Sequence, residues 1–421
     1  MDGPTILASI TVFVALLGVA AVVAIVVRPL RLPYSVALVV VGLVGGVVQT
    51  IARPGNEPVV APEIVLVVLL PGLVFEAGYR LDLAQLRRSL AVLVVLAMPG
   101  VLISATVVAV LLHLITGLRL DLAFIVGAMV SATDPAAVVA TFRRLPVPRE
   151  LATVVEGESL LNDGTGLVVF GLAIGAVAAP ISPADALVRF VVTLIVSGVI
   201  GIAAGFVAAR LMALVDDHLI ELTISVVLAY GTYLLADRLG QSGIIATVLA
   251  AVVLGNYGKR AAMSPGGIDA LDTVWEFLAY LLTALVFLLV GLAFPLAELT
   301  DSLGWIGIGI VGTVLGRALV VYVLLGGASL FLPQARGRAV PSGWFHVLFW
   351  AGLRGAVAVA MALALPITIP QRDLLQEITF GIVLFTVIVQ GSAAAEIVRR
   401  NVVTNGDPAT QGGSPAGLEE A

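Results

Sequence analysis

Glu156-Gly157-Glu158-Ser159-Leu160-Leu161-Asn162-Asp163-Gly164-Thr165-Gly166 is the stretch on which the reading of this chain turns. It opens an apolar run from Leu167 to Ala179, so two glutamates, an aspartate, an asparagine and a serine stand at the head of a segment with the composition of a membrane span. A charged side chain at membrane depth costs about 3 kcal/mol or more, so groups this dense either serve a purpose there or lie outside the lipid. On a helix, Ser159, Asn162, Asp163 and Gly166 follow the i, i+3, i+4, i+7 spacing and share one face. That face offers hard oxygens to a cation, with glycines leaving room beside them. A capped helix start is the plainer reading, but capping alone does not call for so many polar groups on one face.

The rest of the composition is that of a membrane protein. Of 421 residues, 60% are hydrophobic and 12% charged, and the mean hydropathy is +1.14; soluble chains are about 25% charged. The absence of cysteine removes disulfides and thiolate metal sites. No HExxH, paired-His or phosphate-loop pattern occurs, so nothing suggests a nucleotide-driven motor. Thirteen apolar segments can be marked, at about 5–27, 34–52, 62–79, 90–116, 121–142, 150–179, 184–213, 218–238, 242–257, 270–294, 302–329, 343–366 and 373–398. Most reach the roughly 20 residues a helical span needs. The first is not expected to be a cleaved signal, because Asp2 replaces the usual basic residues and the run is too long. Residues 401–421, rich in Gly, Pro, Thr, Ser and Glu beyond Thr404, read as a disordered tail. The loops are short, so the chemistry has to lie in the spans.

Basic residues orient the chain. With thirteen spans and an external N-terminus, fifteen of the 22 basic residues fall on one side and five on the other, while Arg317 and Arg354 lie within spans. The positive-inside rule then places the N-terminus outside and the C-terminus in the cytoplasm. A single missed helix would scramble that asymmetry.

Two spans carry interruptions. In Ser131-Ala132-Thr133-Asp134-Pro135, the proline removes a helical hydrogen bond and pushes Asp134 away from helical geometry. A break at that depth is tolerated only inside protein or beside a water-filled cavity, and secondary transporters build substrate sites from such breaks. Asp134 capping the second half-helix is compatible with a place in the site wall. Gly352-Leu353-Arg354-Gly355 puts a cation between two glycines within the twelfth segment. Breaks in the fifth and twelfth segments point to two inverted repeats, segments one to six and eight to thirteen, with the seventh as linker. Arg317 needs a buried counter-charge; Glu158 is the favoured partner, with Arg354 its rival for that glutamate. Glu76, ending the third segment, either lines a cytoplasmic funnel or reaches the interface. Asp121, Asp217, Glu221, Asp237, Asp272, Glu276 and Glu396 stand near span ends and read as solvated or interfacial, as do His113, His218 and His346.

At these positions the chain resembles the monovalent cation:proton antiporters of the NhaP/NHE-like (sodium/proton exchanger) branch, over about residues 5–400. The most specific motifs are Thr133-Asp134-Pro135 and Glu158-Ser159-Leu160-Leu161-Asn162-Asp163-Gly164; weaker ones are Trp275-Glu276-Phe277, Phe287-Leu288-Leu289-Val290-Gly291, Arg317-Ala318-Leu319, Gly352-Leu353-Arg354-Gly355 and Thr386-Val387-Ile388-Val389-Gln390-Gly391. The resemblance implies an all-α fold of thirteen transmembrane helices. A core (about 90–179 and 302–398) would slide against a dimerisation scaffold (about 5–79 and 184–294). It also implies a homodimer in the plasma membrane. Asp163 would bind cation or proton, Ser159 and the Thr133 carbonyl would be cation ligands, and Asp134 and Glu76 would stand near the site. Asn162 would join the broken regions, and Glu158 would pair with Arg317. The branch with Asn before the aspartate is generally electroneutral.

The expected mechanism is competition. A desolvated carboxyl takes up a proton more readily than a solvated one, and one carboxylate holds a proton or a cation but not both. With alternating access, that gives obligatory exchange of Na⁺, or Li⁺, for H⁺; K⁺ is the alternative cation. The ions are substrates, no cofactor or nucleic acid is implied, and the surrounding partner is membrane lipid. Readings from other classes are an intramembrane aspartyl protease using Asp134 and Asp163 and a passive channel. The first lacks a Gly-x-Gly-Asp sequence at either aspartate.

Overall fold

A computed structural model of the protein describes residues 3–28, 33–52, 64–142, 145, 147–179, 181–294, 302–331 and 342–403. Every regular element among them is a helix, as long apolar runs require where lipid cannot satisfy backbone polar groups. Each of the thirteen apolar segments is represented. They are Gly3–Val27, Tyr34–Ala52, Ile64–Leu69 continued by Leu70–Arg80, Leu83–Ala97 continued by Pro99–Thr116, Leu120–Met129 with Ala136–Phe142, Arg149–Ala178, Pro183–Met212, His218–Arg238, Gly243–Val253 running on to Ala261, Pro265–Leu292, Leu303–Ala318 running on to Phe331, Ser342–Trp350 with Ala356–Leu363, and Arg372–Phe385 running on to Val403. Among the described residues, eight helices are each long and apolar enough to cross a membrane. The fifth and twelfth segments are not among these because each is split into two half-helices.

Two of the boundaries that differ from the sequence reading have a clear consequence. The fourth helix begins at Leu83, because the Asp82 side chain accepts the Ala84 N–H at 2.8 Å and starts the helix ahead of Arg87 and Arg88. The last helix continues through Val403, so residues 401–403 are not tail; the remainder of the expected tail, 404–421, lies outside the described residues.

The fourth, fifth, sixth, eleventh, twelfth and thirteenth segments pack on one another, and the second, third, seventh, eighth, ninth and tenth form a second group. Small residues set the closest approaches, as expected where lipid supplies no hydrophobic drive between helices. Gly127 rests on the Ala105 carbonyl, where a Cβ would collide, so the fifth helix lies directly on the fourth. Gly42 and Gly291 meet in the same way between the second and tenth helices.

Glu221 corrects an expectation. It stands in the first turn of His218–Arg238 but is fully buried. Its Oε1 accepts the Ser264 backbone N–H at 3.1 Å, at the start of Pro265–Leu292. The partial positive charge of a helix N-terminus makes such a carboxylate tolerable away from water, and Gly267 leaves the space it occupies. Asp217 caps its own helix through the N–H groups of Leu219 and Ile220, Asp272 pairs with Lys259 at 2.8 Å, and His346 bonds the Tyr322 hydroxyl at 2.8 Å.

Candidate functional site

The two interruptions meet. The fifth segment leaves helical geometry after Met129 and resumes at Ala136; the twelfth leaves it after Trp350 and resumes at Ala356. The backbone N–H of Asp134 donates to the Leu353 carbonyl at 2.8 Å, so each break satisfies a backbone group of the other. Asp134 then serves both resuming half-helices. Its Oδ1 accepts the Ala136 N–H at 2.9 Å, and its carboxylate is also bonded by the Ala356 backbone. Two half-helix N-termini thus converge on one carboxylate. Gly355 is what permits this, because a Cβ there would overlap the Asp134 side chain.

The sixth helix, Arg149–Ala178, is tied to the first break through Thr133. Asn162 Oδ1 accepts the Thr133 N–H at 3.1 Å, and Asn162 Nδ2 donates to Thr133 Oγ1 at 2.6 Å. Ser159 Oγ donates to the Thr133 carbonyl at 2.6 Å. All three residues are buried. The Ser159 hydroxyl and the Thr133 carbonyl each keep acceptor capacity beyond their mutual bond. An amide suits position 162 because the task needs both an acceptor and a donor.

Asp163 differs from its neighbours. It is only half-buried, its carboxylate takes no hydrogen bond or ion pair among the described residues, and it is electrostatically coupled to Asp134. The helix therefore turns its amide and hydroxyl into the packed break and leaves the Asp163 carboxylate uncommitted beside them.

Behind this arrangement lies a buried charge cluster. Arg317 meets Glu158 with both guanidinium nitrogens, Nη1 to Oε1 and Nη2 to Oε2, the latter at 3.0 Å. Arg317 also holds the Leu348 carbonyl, through Nε at 3.2 Å and Nη2 at 2.5 Å. Gly352 leaves it room: a Cβ there would stand 2.6 Å from Arg317 Nε. Arg354 is not the glutamate's hydrogen-bonding partner. It donates through Nη1 to the Gly352 carbonyl at 2.9 Å, its backbone N–H donates to Thr386 Oγ1 at 3.0 Å, and its buried Nε has no partner among the described residues. Arg354 lines a small cavity shared with Glu158, Asn162 and Thr133, and another shared with Asp134.

Glu76 sits in an ion pair with Arg80, one turn along its helix, and Arg80 reaches on to Glu276 at 3.3 Å. Sequence reasoning gave no role to the Leu353 carbonyl, the Ala356 N–H or Thr386. Two of these are backbone groups without a side-chain signature. Thr386 begins the wide helical turn Thr386–Gln390 within the thirteenth segment.

Comparison with known proteins adds an independent line. The family model described as "Sodium/hydrogen exchanger, transmembrane" matches residues 14–400. The chain is 36% identical over 378 residues to the Na(+)/H(+) antiporter ApNhaP of Aphanothece halophytica, covering 88% of this chain and 70% of that protein. It is 36% identical over 349 residues to the Na(+)/H(+) antiporter NhaP of Pseudomonas aeruginosa, covering 80% and 81% of the two chains. Among solved structures, the sodium proton antiporter MjNhaP1 from Methanocaldococcus jannaschii superposes with a TM-score of 0.76 at 20% identity, covering 92% of this chain and 99% of that one. The fold of crossed, broken helices is therefore one seen before, and the sequence match spans the residues that build it. By its sequence matches this chain belongs to the sodium/hydrogen exchanger family and is a transporter, not an enzyme.

Proposed function

We propose that the protein exchanges Na⁺ for H⁺ across a membrane, one for one, by presenting Asp163 alternately to the two sides. The observation that carries this is the uncommitted Asp163 carboxylate, within electrostatic reach of Asp134 and one helical turn from Ser159, whose hydroxyl meets the Thr133 carbonyl where the two broken helices cross. The relatives named above are Na⁺/H⁺ antiporters, which favours Na⁺ as the cation; Li⁺ would use the same oxygens. A monovalent cation held there would take oxygens from Asp163, Asp134, Ser159 and Thr133, and a proton on Asp163 would exclude it.

The charge balance supports one-for-one exchange. Around the crossing, Arg317 and Arg354 offset Glu158 and Asp134. With those charges fixed, the site is neutral when Asp163 carries a proton or a monovalent cation and negative when it is empty. A net charge is costly to move through a low-dielectric barrier, so the loaded forms cross and the empty form does not. Leak is suppressed without a separate coupling device. In this reading Asn162 and the Glu158–Arg317 pair hold the site in place. The distribution of basic residues argues for an external N-terminus and a cytoplasmic C-terminus, and we propose a homodimer in the plasma membrane.

The test is transport in proteoliposomes with a pH-sensitive dye inside, adding Na⁺, Li⁺ or K⁺ in turn at a set membrane potential. Proton movement driven by Na⁺ and insensitive to voltage is expected, and Asp163→Asn should abolish it in a protein that still elutes and melts as folded. Exchange persisting in that variant would remove Asp163 from the centre of the mechanism. Voltage-sensitive exchange would mean that a second acid titrates, and Asp134 would be the first to replace. Response to K⁺ alone would reassign the cation.

A further inference from the structure

We infer that Ser35 belongs to the ion path, as the hydroxyl that the second helix presents to the entrance of the site. This rests on the reading of Asp163 and Asp134 proposed above. Ser35 stands in the first turn of Tyr34–Ala52 and is 7% exposed. Its hydroxyl makes no hydrogen bond among the described residues, so it is not acting as a cap for its own helix. The residue lines a cavity of about 10 Å³, room for about one water. Asp134, Leu353 and Arg354 line that cavity from the two breaks, and Ser35, Val36 and Phe287 line it from the second and tenth helices. Val36 and Phe287 are apolar. Among the described residues Ser35 is therefore the one polar residue that those two helices bring to the cavity, which Asp134 also lines.

A hydroxyl in that place has a chemical use that an apolar residue lacks. It both donates and accepts, so it can replace one water on a cation that is shedding its hydration shell, or hold one water against Asp134. Asp134 and Ser35 belong to different packed groups of helices. Alternating access moves such groups relative to one another, so the apposition exists in one state of the cycle and is lost in the other. Ser35 then contributes to cation capture and not to the competition at Asp163.

The experiment is a Na⁺ titration of dye-reported exchange in proteoliposomes for the intact chain, Ser35→Ala, Ser35→Thr and Asp163→Asn, with melting of each in detergent. Ser35→Ala should raise the apparent KM for Na⁺ about fivefold, as loss of one hydrogen-bonding partner does, with the maximal rate within about twofold. Ser35→Thr, which keeps the hydroxyl, should restore the original KM, and melting should be unchanged in both. A wild-type KM in Ser35→Ala overturns the inference. So does an equal shift in Ser35→Thr, which would point to packing alone. Exchange that survives in Asp163→Asn would instead sink the underlying site assignment, a separate outcome from either Ser35 result.

Discussion

Replacing Arg317 with alanine isolates the buried pair on which the crossing leans. The Arg317 and Glu158 side chains are only 6% and 3% exposed, so the variant leaves a carboxylate without water and without its two guanidinium bonds. Breaking a buried pair by removing one partner costs about 3–5 kcal/mol. The lower end is expected here, about 3 kcal/mol, because Arg354 lines the same cavity as Glu158 and takes up part of the charge. Some of the loss comes from the Leu348 carbonyl, which gives up its contacts from Arg317 Nε and Nη2. The assay is melting in detergent at one fixed scan rate, paired with cation selectivity in proteoliposomes. Arg317→Ala should lower the melting temperature clearly while the order of cation preference is kept. Arg317→Ala combined with Arg354→Ala should cost more than the two changes apart, since neighbours in one charge network are not additive. Glu158→Leu with Arg317→Leu, which removes both charges, should recover most of the loss. If Arg317→Ala melts with the parent protein, or the double leucine variant is less stable than Arg317→Ala, the pair is not what holds this region.

Two further variants probe the crossing itself. Gly355→Ala should impair exchange severely, because the new Cβ overlaps a carboxylate already fixed by two backbone donors and must displace Asp134; transport rate in proteoliposomes reads it directly, and near-normal exchange would show that Asp134 can move without loss. Asn162→Ala strands the buried Thr133 N–H and should cost about 1–3 kcal/mol, seen as a lower melting temperature together with weakened cation affinity, since Thr133 loses its tether on one side.

Much of the fold is legible in the sequence because long apolar runs in lipid have one solution. A run without charges becomes a helix whether or not anything packs against it, so the thirteen segments and the two interruptions follow from local composition, from Pro135 and from Gly352 and Gly355. The face made by Ser159, Asn162 and Asp163 is equally local, a matter of helical spacing. The charges at helix ends are where local reading misleads. Glu221 reads as interfacial from its position, yet it is buried because a second helix brings its N-terminus to it.

The order of residues along the chain sets which side chains are costly in lipid and where helices cannot continue. Those are properties of single residues and their immediate neighbours. How the costs are met depends on packing between distant helices: Asp134 caps two half-helices at once, Glu158 takes Arg317 and leaves Arg354 to carbonyl and hydroxyl partners, and Asp163 stays uncommitted while the amide beside it both donates and accepts. The physical reason is that a buried charge is stabilised by partners far away in the chain, so its role is set by which helices cross at its depth.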